Sequence, residues 1–180
     1  IVSENGLIIT NKHVVSVTGA TYKVITKDNK EYDVKEISKD PSGNEHFYLK
    51  DPYNNIFEFV QSDFIFQNDK SLNGGIYGVT IGISDFEQSR MVYHDILGYD
   101  EIVYDIESTF ADLSPLPGGN EKIRRILLRS SSLPKGPFAP LLGPSQIELI
   151  EVKSRKAKKI FDGRIWGDLG FIHLCFDIVN

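Results

Sequence analysis

Cysteine is almost absent from this sequence of 180 residues, since Cys175 is the only one. A single cysteine excludes an intramolecular disulfide framework and supplies no pair of thiols at the spacing of a zinc ribbon. A reducing cytoplasm is therefore the expected location. Long apolar runs are also absent: no stretch approaches the roughly 20 residues of a membrane-spanning helix, and no signal-peptide pattern opens the chain. We therefore expect a soluble protein with no membrane partner.

An excess of positive charge is lacking as well. The formal net charge is −5 and the pI is near 5.4, whereas nucleic-acid binding draws on concentrated lysine and arginine. The one basic run, at residues 153–159, is typical of a solvated surface. Nucleic acid is therefore not expected as a partner. With 41% hydrophobic and 25% charged residues, the chain can build one ordinary globular domain or two small ones.

A strand, a helix and a second strand are predicted between residues 74 and 105. Residues 77–84 alternate between apolar side chains and Gly, Thr or Ser, which predicts a half-buried strand. Asp85 then has the position of a helix N-cap, and Gly98 stands where a C-terminal cap is expected. Residues 99–105 resume a β-rich pattern. We expect the helix to cover the apolar face of the first strand, which leaves the small-residue face open.

A hairpin is predicted at residues 46–60, where two β-rich runs flank a tight turn of Asp, Pro and Asn residues. The returning strand places the carboxylate of Glu58 between apolar neighbours. One interpretation is an edge or rim residue with water on that side. Residues 145–152 repeat the same setting around Glu148, so this type of strand occurs twice.

The strand at residues 77–85 also has a counterpart, because residues 172–180 align with it in register. The alignment puts His173 at the position that Gly78 holds in the first strand. A structural role and a role as a metal ligand both stay open for His173. Repetition of two strand types predicts a modular fold. The other histidines have no such placement and are predicted to be surface or core residues: His13, His46 and His94.

Two proline-rich stretches, at residues 112–120 and 130–144, are predicted to be loops, because proline cannot donate to a β-ladder. Residues 121–131 between them alternate imperfectly between charged and apolar side chains, which predicts a half-exposed strand. Trp166, in a later stretch without strand or helix signals, is predicted to pack as a core or lid residue.

These patterns carry a resemblance to a known family. Residues 79–105, VTIGISDFEQSRMVYHDILGYDEIVYD, are similar to the opening strand and helix of the vicinal oxygen chelate family, which includes glyoxalase I, bleomycin resistance proteins and extradiol dioxygenases. Residues 51–59, DPYNNIFEF, resemble the closing hairpin of that family, usually Asp-Pro-x-Gly-Asn followed after two residues by a metal-binding Glu. Here Asn54 replaces the glycine, and asparagine is a residue that tolerates a positive φ. Glu58 falls at the ligand position.

The resemblance implies an α+β fold in which βαβββ modules pair into a curved mixed sheet around a cup, with helices on the convex side. It assigns residues 1–66 to the C-terminal part of one module, residues 74–153 to a complete module, residues 154–169 to a linker and residues 170–180 to the first strand of a further module. We therefore expect a fragment of a longer protein.

The resemblance also implies a metal site that takes Glu58, Glu148 and His173 as ligands and has Gly78 where a further ligand would sit. Glu58 and Glu148 are the candidate catalytic residues, since a carboxylate can move a proton while a metal holds two substrate oxygens. Imidazole and carboxylate ligands are shared by Zn, Ni, Mn and Fe(II), so a divalent metal of one of these kinds is the implied cofactor. Glycine has no ligating side chain, so the site is incomplete as judged from this chain.

Three classes of function follow. The main expectation is a metal-dependent isomerase, lyase or dioxygenase that acts on a small oxygenated metabolite, which Glu58, Glu148 and His173 favour. The second class is a non-catalytic small-molecule binding or resistance protein whose small-residue strand face lines a cavity. The third is a metal-free module kept for pairing, including pairing in a homodimer. Gly78 favours the second and third classes.

Overall fold

The computed structural model describes residues 22–25, 31–34, 37–50, 55–62, 76–132, 135, 144–159, 162–168, 171 and 173–176. In chain order, the strands and helices of these residues are β1 (Tyr22–Ile25), β2 (Glu31–Val34), β3 (Ser38–Lys39), β4 (Glu45–Lys50), β5 (Ile56–Val60), β6 (Gly78–Ile83), helix α1 (Phe86–Arg90) with a π-helical continuation (Met91–Ile96), β7 (Glu101–Ser108), a 3₁₀ turn (Ala111–Leu113), β8 (Ile123–Arg129) and β9 (Gln146–Glu151).

Three β-sheets and one short helical segment make the described part of the chain an α+β fold, which confirms the general class that was predicted. The first sheet pairs β1 with β2, the second has the order β3-β4-β5, and the third has the order β6-β9-β8-β7. Pairing is antiparallel throughout, except that β6 and β9 are parallel. The third sheet and α1 therefore contain a strand, a helix and three further strands in chain order.

The junction between β6 and α1 follows the sequence prediction closely. Asp85 is the N-cap, and its Oδ1 accepts a hydrogen bond from the backbone N–H of Gln88 at 3.1 Å. Gly98 ends the helical segment with a φ of 76°, and its N–H donates to the carbonyl of His94 at 3.2 Å. Glycine adopts this left-handed conformation without a Cβ clash. The predicted strand, N-cap and C-terminal glycine are therefore confirmed.

The hydrophobic core lies between α1 and one face of the third sheet. Alternation along each strand sends every second side chain to this face, and burying each large apolar side chain contributes roughly 1.5–3 kcal/mol. Tyr93 and Tyr99 pack against the core together with Phe176. The helix therefore covers the apolar face of β6, as predicted. The buried core residues are Ile83, Phe86, Ile126, Leu128, Ile147 and Leu149.

Strands β4 and β5 form the predicted hairpin, with Tyr48 opposite Glu58. Residues 51–54, the predicted turn, lie outside the described residues. On one face of the hairpin Phe47 stacks on Phe59 with their ring centroids 5.1 Å apart. The other face carries His46, Tyr48 and Glu58, because residues two apart on a strand share a face.

The strand predicted at residues 121–131 is present as β8, but the prediction that it is half-exposed is wrong. Strand β8 is buried along almost its whole length, apart from Arg129. Ile126 and Leu128 face the core, while Arg125 and Leu127 are buried on the opposite face. A central strand covered on both sides need not show a polar face, so its charged residues gave a misleading pattern.

The C-terminal segment differs from the expectation for a further module. Residues 173–176 form no strand, and Trp166 is 78% exposed rather than packed in a core.

Residues 153–159, the basic run, are exposed as predicted. The module boundaries stay a prediction; His13 and most of residues 130–144 lie outside the described residues. In the part of the chain that the structure describes, every helix is too short or too polar to cross a bilayer.

Candidate functional site

Glu148 lies near the centre of the face of the third sheet that points away from α1. The pairing of the strands aligns it with Thr80 on β6 and Leu127 on β8, and it alternates with the core residues Ile147 and Leu149. Side chains that are paired across neighbouring strands project to the same side of a sheet. We call this side, opposite the helix, the open face of the sheet; Thr80 and Gly82 are exposed on it, whereas Arg125 and Leu127 at its centre are buried.

Three side chains donate hydrogen bonds to the Glu148 carboxylate. The hydroxyl of Tyr104 and the Nε of Arg125 each lie 2.6 Å from Oε1, and the hydroxyl of Thr80 lies 3.3 Å from Oε2. The donors come from three different strands, so Glu148 is held in one orientation. Its side chain is only 7% exposed.

Arg125 links Glu148 to a second carboxylate. Its NH1 lies 2.5 Å from Oδ2 of Asp112, which belongs to the 3₁₀ turn after β7. The side chain of Arg125 is 1% exposed, and its guanidinium also lies over the ring of Phe110, 4.9 Å from the centroid. A buried guanidinium needs such partners, since an unpaired charge in the interior costs several kcal/mol.

His46 on β4 continues this chain of contacts to Glu58. Its Nδ1 lies 2.6 Å from Oε1 of Glu58, and its Nε2 lies 3.3 Å from Oδ2 of Asp112, an ion-pair distance outside hydrogen-bond geometry. The hydroxyl of Tyr48 also donates to Glu58 at 3.3 Å. Five ionisable side chains from the second sheet, the third sheet and the 3₁₀ turn are thus connected. We call them the charged cluster: Glu58, His46, Asp112, Arg125 and Glu148.

Burial and charge shift the pKa values within the cluster in different directions. Burial disfavours the His46 imidazolium, but Asp112 and Glu58 outweigh this effect and raise the pKa of His46 to about 9. Burial also favours neutral Asp112, yet His46 and Arg125 hold the pKa of Asp112 below its usual value. For Glu148, burial is the largest effect and raises the pKa, Arg125 and Tyr104 oppose it, and repulsion from Glu58 adds to it. The two glutamates therefore interact electrostatically.

The three predicted metal ligands have different locations. Glu58 and Glu148 belong to the same charged cluster, although they come from different sheets. His173 does not belong to it: among the described residues its ring stacks on Trp166, with centroids 5.6 Å apart, and its side chain is exposed. The alignment of His173 with a strand position has no counterpart in the structure, because residues 173–176 form no strand.

Gly78 has a structural reason to be glycine. It pairs with Gln146 across the parallel β6–β9 ladder, and a Cβ at position 78 would overlap the Gln146 carbonyl oxygen. A side chain that could bind a metal therefore does not fit here without a shift of the backbone. Gly82 on the same face differs, since a Cβ there would meet no atom within 4 Å.

Sequence reasoning missed three members of the cluster: His46, Asp112 and Arg125. The hairpin register contained a signal for the first, because pairing Tyr48 with Glu58 puts His46 diagonally next to Glu58 on the same face. No local signal marked Asp112, which is part of a proline-rich stretch. Arg125 was hidden in an alternating pattern that suited a solvent-facing arginine equally well.

The donor atoms do not fit a divalent metal in this arrangement. Both nitrogens of His46 face carboxylate oxygens, so its imidazole has no free lone pair. Both oxygens of Glu148 accept hydrogen bonds, and the guanidinium of Arg125 lies where a cation would approach. Among the described residues, no three His, Cys, Asp or Glu side chains converge in a way that could hold a metal ion.

Comparison with known proteins leaves the family unassigned. The chain matches no protein-family model, and no curated protein or solved structure is significantly similar to it. The interpretation of the site therefore depends on the geometry and on the sequence resemblance.

Proposed function

We propose that this chain is a glyoxalase, bleomycin resistance or dioxygenase-like protein of the vicinal oxygen chelate family, and that its paired sheets form a cup that binds a small oxygenated metabolite. The observation that carries the proposal is the joining of Glu58 and Glu148, from two sheets, in one cluster. The strand, helix and three strands between Gly78 and Glu151 are what a βαβββ module requires. Pairing of such modules into a curved sheet is part of this proposal.

The ligand would lie against the open face of the third sheet. Gly82 offers space there, and Thr80 and Tyr104 bring hydroxyl groups to it. Glu58 is the carboxylate that can reach a ligand, since its side chain is 25% exposed whereas that of Glu148 is 7% exposed. In a reaction that moves a proton, Glu58 would exchange it with the ligand, and Glu148 would orient Tyr104 and Arg125.

Filling the open face tests ligand binding. We expect Gly82→Leu to weaken the binding of a small oxygenated ligand at least tenfold, because the added side chain occupies the space over β6 while the fold accepts it. The measurement is ligand-observed NMR with two probes, pyruvate as a 2-oxo acid and catechol as a vicinal diol. Thr109→Leu is the matched control, since Thr109 is exposed after the end of β7. Equal binding by both variants would contradict the location of the site.

Metal-dependent chemistry is the second candidate, as an isomerase, lyase or dioxygenase. The resemblance favours it, because two of the ligands that it implies, Glu58 and Glu148, lie in one cluster. It requires Arg125 to give up its contact with Glu148. Elemental analysis of the purified protein after chelator treatment and reloading with Zn, Ni, Mn or Fe is the test. This candidate predicts one equivalent of metal that Glu148→Gln loses, and an absence of bound metal from both proteins would reject it.

The proposal also includes a location in the cytoplasm. Cys175 is a free, exposed thiol, which fits a reducing cytoplasm.

A homodimer is the form of assembly that we propose, because pairing of modules is what the family resemblance implies. Size-exclusion chromatography with light scattering measures the assembly state directly.

A further inference from the structure

We propose that Arg125 takes the place of a metal ion in this cup, so that a guanidinium fixed in a central strand holds Glu148, a carboxylate that the resemblance assigns to the metal, together with Asp112. The inference rests on the proposed function, since it concerns the position that the family gives to a metal. It goes further by naming the group of this chain that occupies the position.

The contacts of Arg125 are those of a bridging cation. Its Nε reaches Glu148 on β9 and its NH1 reaches Asp112 on the turn after β7. Guanidinium is planar, permanently charged and able to engage two acceptors at fixed angles. One arginine thus pairs with two carboxylates from different elements, although its single positive charge balances only one of them.

The position of Arg125 within the sheet keeps its guanidinium in one place. Residue 125 is paired with Ile150 on one side and with Ile106 on the other, inside the sheet. The side chain is 1% exposed. If it turned toward solvent, the buried Glu148 would lose its cationic partner and Asp112 would keep only His46 among the described residues. Removing one partner of a buried ion pair is far more costly than removing a surface pair.

Hydrogen bonds occupy most of the acceptor capacity of the Glu148 carboxylate. Oε1 accepts from Arg125 and Tyr104, and Oε2 accepts from Thr80. A metal ion that bound Oε1 would have to displace Arg125 or Tyr104, and one that bound Oε2 would share this oxygen with Thr80 and lie near the guanidinium charge. Glu58 is engaged separately by His46 and Tyr48. Two cations of the chain, His46 and Arg125, therefore oppose the three carboxylates of the cluster.

Metal titration of Arg125 variants tests the inference. We expect wild-type protein to bind neither Zn²⁺ nor Mn²⁺ stoichiometrically in isothermal titration calorimetry, and we expect EDTA to leave its melting temperature unchanged. In Arg125→Met the Glu148 carboxylate loses its cationic partner, and the Asp112 carboxylate keeps only His46 among the described residues. This variant should melt at least about 6 °C lower and bind Zn²⁺ or Mn²⁺ at least tenfold more tightly than wild type.

Two further variants separate charge from packing. Arg125→Lys keeps a positive charge and should retain the low metal affinity of the wild type, even if its single ammonium group restores stability only in part. Arg129→Met removes an arginine from the same strand whose partner is the exposed Glu101, and it should change neither property. If Arg125→Met does not fold, the Arg125→Lys and wild-type titrations still decide the question.

Two results would overturn the inference: one equivalent of metal in wild type that is lost in Glu148→Gln, or unchanged melting and metal affinity in Arg125→Met. Neither result depends on ligand binding at the open face, which Gly82→Leu tests separately. If the ligand does not bind at the open face but the Arg125 variants give the expected melting and metal affinities, only the proposed function is rejected. Metal binding in wild type together with an intact ligand site would reject only the role of Arg125.

Discussion

Replacing His46 with alanine is expected to lower the free energy of unfolding by about 3–5 kcal/mol at pH 7. The substitution removes the cation between Glu58 and Asp112 and leaves a cavity in a position where His46 is 1% exposed. Asp112 keeps Arg125 as a partner, whereas Glu58 keeps only the weaker donor Tyr48 among the contacts of the cluster. Urea unfolding followed by circular dichroism measures the loss.

The contribution of His46 to stability should depend on pH. Its pKa is about 9 in the folded protein against 6.5 as the ordinary value, so folding favours the protonated form. The stabilisation is therefore complete below about pH 6.5 and is lost as the pH rises through 9. The difference corresponds to about 3 kcal/mol. The charged groups that face His46 are Glu58 and Asp112, with Arg125 beyond Asp112.

The control for this prediction is the surface histidine His94, which pairs with Asp95 at 2.7 Å. His94→Ala should cost less than about 1 kcal/mol. The informative comparison is the slope of unfolding free energy between pH 6.5 and 9. If wild type and His46→Ala show the same slope, His46 is not the group that titrates.

Gly119→Ala is expected to destabilise the protein by about 3 kcal/mol or more. A Cβ at position 119 would overlap the carbonyl of Leu113, and this carbonyl is fixed by a hydrogen bond from the N–H of Leu116 at 2.8 Å. Backbone atoms cannot move aside as a side chain does. Because Leu113 follows Asp112, the displacement should also disturb the contacts of Asp112 with His46 and Arg125.

Two measurements separate this effect from a general loss of stability. Urea unfolding gives the change in free energy, and an NMR titration of the His46 imidazole should show its pKa falling toward 6.5 when Asp112 moves away. Gly82→Ala is the matched glycine control, because a Cβ there meets no atom within 4 Å. It should change stability by no more than about 0.5 kcal/mol. If the pKa of His46 in Gly119→Ala is the same as in wild type, the position of Asp112 does not depend on this turn.

Local patterns were sufficient to predict most of the elements. Alternation predicted β6, and the short polar turn predicted the pairing of β4 with β5. The cap at Asp85 and the glycine at position 98 set the limits of the helical segment. Each of these signals lies within a few residues of the structure that it specifies. The fold class could therefore be predicted from the chain alone.

The charged cluster could be predicted only in part, because its contacts join distant residues. Arg125 reaches Glu148 across 23 positions and Asp112 across 13. An arginine in an alternating strand predicts a solvent-facing side chain unless the strand is known to be covered on both sides. His173 shows the opposite error: its register with Gly78 was regular, but residues 173–176 do not pair as a strand.

The parallel pairing of β6 with β9 has a consequence for synthesis of the chain. Thr80 and Glu148, which meet across this pair, are 68 positions apart. A ribosome that adds roughly 5–20 residues per second needs roughly 3–14 seconds to cover that interval. During this time β6, which pairs only with β9 among the described strands, has no partner strand, and only the helix that follows it can cover its apolar side chains.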